Sequence, residues 1–203
     1  MKLYYAKGAC SFAIRITLNE LGIPCEFESV NLKTKKTENG TNFLEINEKG
    51  AVPTLVLDTN EVLTEGAIIQ QFLADHYKAT HLLPAIGDFR RYKILEWVNF
   101  IATELHKGFG PLFSQDFPEE IKENFFRPIL KRKFEYIDAK LKQNSYLLGE
   151  AFTLADSYLF TILRWASVCK VDVSNLSNLS RYFKDLHQRS SIQKALTDEG
   201  LAG

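Results

Sequence analysis

Residues 50 to 77 read Gly50-Ala51-Val52-Pro53-Thr54-Leu55-Val56-Leu57-Asp58-Thr59-Asn60-Glu61-Val62-Leu63-Thr64-Glu65-Gly66-Ala67-Ile68-Ile69-Gln70-Gln71-Phe72-Leu73-Ala74-Asp75-His76-Tyr77. The apolar run Thr54 to Leu57, the turn residues Asp58-Thr59-Asn60-Glu61 and then Val62-Leu63 predict a β-hairpin. From Ala67 to Tyr77 the period changes, with Ile68, Phe72 and Leu73 recurring at helical spacing. Strand, strand, helix is therefore the order in this stretch, and Val52-Pro53 sits at its entrance.

Upstream, Leu3-Tyr4-Tyr5 forms a short apolar and aromatic run that ends at Gly8, as a first strand and its turn do. Phe12, Ile16 and Leu18 to Leu21 then recur at helical spacing, and Gly22 with Pro24 closes that helix. In Cys25-Glu26-Phe27-Glu28-Ser29-Val30 apolar and polar residues alternate, the pattern of a half-buried strand. The first part of the chain is thus β-α-β followed by β-β-α, an α/β domain. Beyond Leu82-Leu83-Pro84-Ala85-Ile86-Gly87 the strand patterns vanish. Helical patterns run from about Phe89 to Lys107, from Glu119 to Leu141 and onward from near Thr153. The fold class read from the pattern is α/β plus all-α, with one domain over residues 1–81 and a helical one over 88–203.

Composition narrows the ligand. The 203 residues carry 25 basic and 25 acidic side chains, and the balance is zero. No surface-wide field attracts nucleic acid or an anionic membrane, which directs attention to small molecules and proteins. The N-terminus lacks a signal-length apolar run, and no segment approaches the roughly 20 apolar residues of a membrane span. A cytoplasmic protein is expected. Cys10, Cys25 and Cys169 are odd in number and widely spaced, which speaks against a disulfide framework and against a metal site of close Cys/His pairs.

Cys10 falls between a predicted strand and a predicted helix, where unpaired N–H groups and the helix dipole favour a thiolate. A small buried hydrophobe with an inert sulfur is the competing reading. Cys10-Ser11-Phe12-Ala13 lacks the second cysteine of a dithiol redox pair. The Val52-Pro53 bond takes either isomer. Base rate favours trans, whereas a cis bond would present the Val52 N–H and C=O to an extended peptide as though it were another strand. Glu65-Gly66 opens the following helix, so its amides suit a carboxylate and the Glu65 side chain an amine, although a first-turn Glu also simply complements the dipole. Asn99, Thr103 and His106 follow at spacings that put them on one face of an α-helix, beside Leu95, Val98, Ala102 and Leu105. They form either a cleft wall or a boundary hydrogen-bond network. Thr153-Leu154-Ala155-Asp156 has the form of a capping box, which assigns it to folding. A lysine among Lys33 to Lys36 suits a substrate carboxylate. Phe109, Phe113, Arg164 and Trp165 suit an apolar pocket or a core equally well.

Five ordered segments, Met1 to Tyr5 leading to Cys10, Gly50 to Leu55, Leu63 to Ile68, Ile101 to Lys107 and Phe152 to Asp156, make the whole chain resemble the glutathione S-transferase family, bacterial beta class. That resemblance implies a thioredoxin-like N-terminal domain followed by an all-helical C-terminal domain, with glutathione as co-substrate in the cleft between them and no metal. It implies conjugation of the glutathione thiolate to a hydrophobic electrophile, with thiol exchange or peroxide reduction through Cys10. By position, Val52 before a cis Pro53 would pair with the glutathione cysteinyl backbone. Glu65 and Gly66 would hold its γ-glutamyl end and Lys35 its glycine carboxylate. Asn99 and His106 would approach the sulfur, Thr103, Glu104 and Leu105 would join them in binding glutathione, and Thr103 to Lys107 would lie near the axis of a homodimer. Family members often carry Ser at position 66, so Gly66 leaves the contact to its backbone amide. Candidates for stabilising the thiolate are Ser11, Tyr5, His106 and the helix start at Cys10. A non-catalytic binding or regulatory module of the same fold, and a glutathione-dependent isomerase or dehalogenase, are the competing readings.

Overall fold

The computed structural model describes residues 1–202 and divides into two compact units, residues 1–80 with 189–202 in the first and 81–188 in the second. In the first unit, β1 (Lys2–Tyr5), β2 (Glu26–Asn31), β3 (Lys36–Thr37), β4 (Thr54–Val56) and β5 (Val62–Thr64) form one sheet in the order β3-β2-β1-β4-β5. β1 and β2 are parallel, as the intervening helix α1 (Phe12–Leu21) requires, and the other pairs are antiparallel. The predicted hairpin is β4 and β5, closed by Asn60 N–H donating to the Leu57 carbonyl. α2 (Gly66–His76) follows directly.

Leu3 from β1, Leu55 from β4, Ile14 and Leu18 from α1, and Ile69 and Leu73 from α2 form the core of this unit. Every residue from Phe12 to Leu18 is buried, including Arg15 and Thr17, so α1 is covered on more than its sheet-facing side. The cover is helix α9 (Ser190–Asp198), which packs against α1. The helical unit therefore ends at Gln188, not at the C-terminus expected from a boundary at 88–203, because the last helix completes the sandwich of the first unit. α1 stops at Gly22, whose φ of +65° lets its amide reach back to Asn19 and Leu18.

In the second unit, α3 (Phe89–Phe100) continues through a π-helical segment, Ile101–His106, into α4 (Lys107–Phe113). A single α-helix over Phe89 to Lys107 was the expectation. The i→i+5 bonding of the middle segment widens the turn and ends the strict α-helical phase at Phe100. α5 (Glu119–Ile121), a second π segment (Lys122–Phe126) and α6 (Arg127–Lys140) occupy the second predicted helical stretch. α7 (Leu154–Val168) and α8 (Ser177–His187) complete the unit. α7 is its centre, with twelve buried residues from Leu154 to Ala166. Among the described residues no helix is long and apolar enough to cross a membrane.

Candidate functional site

The first unit gathers its expected residues around the turn after β1. Cys10 lies two residues ahead of α1 and is half-buried, with its thiol 3.1 Å from the carbonyl oxygen of Val52. The Val52–Pro53 bond is cis. The base-rate preference for trans does not hold here, and the form implied by the family resemblance does. Asn47 anchors this loop by donating to the Ala51 carbonyl and the Thr54 hydroxyl, both at 2.9 Å.

Ser11 is fully buried, and its hydroxyl oxygen is 3.3 Å from both the N–H and the C=O of Ala6. It closes the turn from within. Tyr5 is half-buried, with the Arg15 guanidinium 4.6 Å from its ring and Phe27 edge-on at 6.3 Å. Both side chains thus have packing partners on the body side of the turn.

Glu65 caps α2 with φ +68°, a left-handed conformation uncommon for a side-chain-bearing residue. Its exposed carboxylate is 2.9 Å from the Lys49 ammonium, which also donates to the Thr64 hydroxyl. Lys49 is a partner that sequence reading missed, since it stands sixteen positions from Glu65 and no periodicity links them. Gly66 begins α2 with its first backbone amides directed out of the helix, as any first turn leaves them. A Cβ placed on Gly66 would lie 3.5 Å from the Pro53 ring, at ordinary contact distance. Lys35, also at positive φ, donates to the Gly50 carbonyl at 2.7 Å. Gly50 is needed there: φ is +58°, and a Cβ would meet Leu44 at 3.0 Å and the Lys35 stem at 3.2 Å. Cys10, Val52, Pro53, Glu65, Gly66 and Lys35 therefore belong to one unit, with Pro53 packed directly behind Gly66.

In the second unit the π segment separates residues that an α-helix would align. Asn99 and Thr103 are exposed, and the Thr103 hydroxyl donates to the Asn99 carbonyl at 3.0 Å. His106 is half-buried, with its Nδ1 2.7 Å from the Tyr158 hydroxyl and its ring 5.2 Å from the Trp165 ring. His106 thus bonds to α7, whereas Asn99 and Thr103 are exposed, and the π segment lies between Asn99 and His106. Glu104 is exposed and paired with Lys133 at 2.8 Å, and Leu105 is fully buried. Tyr158 could not be found from sequence, since it stands fifty-two residues from His106 in a run that reads as core.

Trp165 packs edge-on against Phe109 at 5.7 Å and Phe113 at 5.2 Å. Phe109 is core, whereas Phe113 is 51% exposed and leaves an aromatic face beside Trp165. Arg164 lines a cavity of about 410 Å³ with Val171, Leu179 and Phe183. Cys10, Cys25 and Cys169 are not in disulfides, and among the described residues no group of three or more His, Cys, Asp or Glu is placed to hold a metal ion.

A cysteine at a strand-to-helix turn, a cis-proline loop and the first turn of α2 all belong to one thioredoxin-like unit. Comparison with known proteins agrees in both units. Residues 8–76 match the sequence model of "Glutathione S-transferase, N-terminal domain", and residues 100–190 that of "Glutathione S-transferase, C-terminal domain". The chain is 45% identical to glutathione S-transferase GstA of Escherichia coli O157:H7, over 99% of this chain and 100% of that one. It is 36% identical to glutathione S-transferase GST-4.5 of Xanthomonas campestris pv. campestris, over 99% and 100%. Among solved structures, a ternary complex of BphK, a bacterial glutathione S-transferase, superposes with TM-score 0.95 at 41% identity, covering 99% of this chain and 100% of that one. A beta-class glutathione S-transferase of Sphingomonas chungbukensis superposes with TM-score 0.94 at 37% identity over the full length of both. Likeness that runs through both units, at this identity and from end to end, places the chain in the glutathione S-transferase family, bacterial beta class.

Proposed function

We propose that the protein conjugates the thiolate of reduced glutathione to hydrophobic electrophiles and that Cys10 adds a thiol-exchange activity at the same site. The observation that carries the reading is the Cys10 thiol 3.1 Å from the Val52 carbonyl, beside the cis proline. A sulfur there lies next to the backbone that a bound cysteinyl residue would pair with as an added strand. The structure of a sphingomonad glutathione S-transferase complexed with glutathione, at TM-score 0.94 and 38% identity, supports the same ligand.

In this reading Glu65, held by Lys49, receives the α-amino group of the γ-glutamyl end, and the amides from Gly66 receive its carboxylate. Lys35 exchanges its Gly50 contact for the glycine carboxylate. His106, Asn99 and the residues Thr103 to Lys107 serve the sulfur region and the axis of a homodimer. For conjugation, the glutathione thiol loses its proton, its sulfur forms the bond to the electrophilic carbon, and the leaving group departs with the bonding electrons. An ordinary thiol pKa of about 8.5 lowered by two units needs roughly 2.7 kcal/mol of preferential interaction with the thiolate. One or two charge-assisted hydrogen bonds supply that amount. For exchange, the Cys10 thiolate attacks the glutathionyl sulfur of a mixed disulfide and releases the other thiol. A second glutathione thiolate then attacks the Cys10 disulfide, freeing Cys10 and giving oxidised glutathione.

Calorimetric titration with reduced glutathione tests the site. Saturable binding by the wild-type protein, lost or weakened at least tenfold in Glu65→Ala, is expected. Absence of binding by the folded wild-type protein would overturn the reading in favour of a non-catalytic module.

A further inference from the structure

Between the end of α7 and the first turns of α8 the helical unit leaves the cavity of about 410 Å³ that Arg164 lines. Leu163 of α7, Val171 of the connection and Leu179 and Phe183 of α8 make its apolar walls, and the exposed Ser180 adds a hydroxyl. An apolar lining of this volume with a few polar groups is what small-molecule sites have in common. The cavity shares no lining residue with the cluster of Phe109, Phe113 and Trp165.

Its walls are fixed before anything enters. In the connection, the Val171 N–H donates to the Ala166 carbonyl at 2.8 Å and the Leu176 N–H to the Val173 carbonyl at 3.1 Å. Arg127 Nε donates to the Cys169 carbonyl at 2.8 Å, and Asp138 of α6 accepts from the Leu179 N–H at 2.8 Å, which holds the first turn of α8. Asp172, the acidic residue on the lining, accepts from the Ser174 hydroxyl at 2.7 Å and pairs with Lys131 at 3.4 Å, so its charge is already neutralised. A ligand would not have to order the connection, and that entropic cost of binding is avoided.

Two groups select the ligand. Phe183 stacks on the fully buried Phe160, with ring centroids 4.9 Å apart and planes 12° from parallel, and is itself half-buried. One face of its ring is therefore taken by Phe160, and the accessible remainder belongs to the cavity wall, where a flat ring would extend the stack. Arg164 supplies a planar guanidinium with more N–H donors than one carboxylate uses, so it can receive a carboxylate beside the contact it already makes. We propose that this cavity is a binding site for small aromatic carboxylates, with the ring against Phe183 and the carboxylate on Arg164. Every lining residue lies in the helical unit, and the site works without glutathione.

Calorimetric titration of the full chain with 2-naphthoate, and with the uncharged 2-naphthamide as its near-isostere, tests the site with and without saturating reduced glutathione. The wild-type protein is expected to bind 2-naphthoate saturably, to bind the amide about tenfold more weakly, and to show the same naphthoate affinity when glutathione is present. Arg164→Gln is expected to lose about tenfold in naphthoate affinity and to bind acid and amide alike. Ser180→Trp, which fills the cavity from an exposed position, is expected to abolish binding of both. No saturable binding of 2-naphthoate overturns the proposal, and so does equal binding of acid and amide by the wild-type protein. Wild-type affinity in a folded Ser180→Trp, or displacement of 2-naphthoate by glutathione, would put the probe elsewhere and overturn it too. If Ser180→Trp does not fold, Arg164→Gln decides: discrimination of acid over amide that survives in that variant refutes the assignment. Failure of the wild-type protein to bind glutathione would refute the thiol-site reading and leave this site to the naphthoate titrations.

Discussion

The Cys10 thiol and the Val52 carbonyl oxygen, 3.1 Å apart, join the turn after β1 to the residue before the cis proline. The contact leaves Cys10 beside the backbone proposed to receive glutathione, so its sulfur and a bound glutathione sulfur would compete for nearly the same space or bond to each other. Conjugation needs only the second sulfur, whereas exchange needs both. Cys10→Ala is therefore expected to abolish reduction of a glutathione mixed disulfide while keeping conjugation of an aromatic halide within about tenfold, a barrier change of no more than about 1.4 kcal/mol. Steady-state assays of both reactions on one preparation check this, and equal loss of both would refute the division of labour.

Gly66 has room for a side chain. Its missing Cβ would stand 3.5 Å from Pro53 Cγ, and its φ is not in the positive region. Gly66→Ser is expected to fold normally and, if the γ-glutamyl carboxylate lies at this helix start, to add one hydroxyl donor to it. One added hydrogen bond is worth about 0.5 to 1.5 kcal/mol, a twofold to tenfold gain in glutathione affinity. Calorimetry against the wild-type protein measures it. Unchanged affinity in a folded variant would place the γ-glutamyl end elsewhere.

Cys25 should be chemically quiet where Cys10 is not. Burial pushes its thiol up from an ordinary 9.0 to about 11, against smaller lowering effects from the N-terminal amine and the Leu3 backbone. Below pH 9 both folded and unfolded chains hold the proton, and the contribution to stability is fully present. Between about 9 and about 11 the unfolded chain loses the proton first, so stability falls as pH rises. Cys25→Ala is expected to show a shallower loss of urea midpoint from pH 8 to pH 10.5 than the wild-type protein. At pH 8, mass spectrometry after brief iodoacetamide treatment should find label at Cys10 and none at Cys25.

What the sequence discloses here depends on how far apart in the chain the partners are. The hairpin β4–β5, the helix α2 and the capping box at Thr153 are set by neighbours within a few residues, and the period of the side chains reveals them. Arg15 and Glu199, at 2.9 Å, are separated by 184 positions, so the attachment of α9 to α1 leaves no local trace. The π segment Ile101–His106 also escapes period counting. Its apolar residues Ile101 and Leu105 fit an α-helical stripe, and the widened turn shows only in where His106 points. For the site, Cys10, Glu65 and Gly66 are legible because strand ends and helix starts are punctuated. Lys49 and Tyr158, which hold Glu65 and His106, lie on other elements and are not.

Asp156 shows what a legible motif commits the fold to. As the capping box requires, it accepts from the Thr153 N–H at 2.8 Å, and it accepts from the Thr153 hydroxyl at 2.8 Å as well. It also accepts from the Leu147 N–H at 3.0 Å and the Tyr182 hydroxyl at 2.9 Å, contacts that no local pattern announces. The carboxylate is 0% exposed, and burial raises its pKa against the pull of those donors. It ties the start of α7, the loop before it and α8 to one point in the helical unit. Asp156→Ala would leave four buried donors without their acceptor, which predicts a loss of about 3 to 5 kcal/mol. Thr153→Val, which removes one hydroxyl and keeps the carboxylate, should lose only about 1 kcal/mol. Both tryptophans, Trp97 and Trp165, lie in this unit, so urea unfolding followed by their fluorescence reads it directly. Asp156→Ala within about 1 kcal/mol of the wild-type protein would mean that water or a rearranged loop satisfies the donors, and that α7 draws its stability from its twelve buried residues instead.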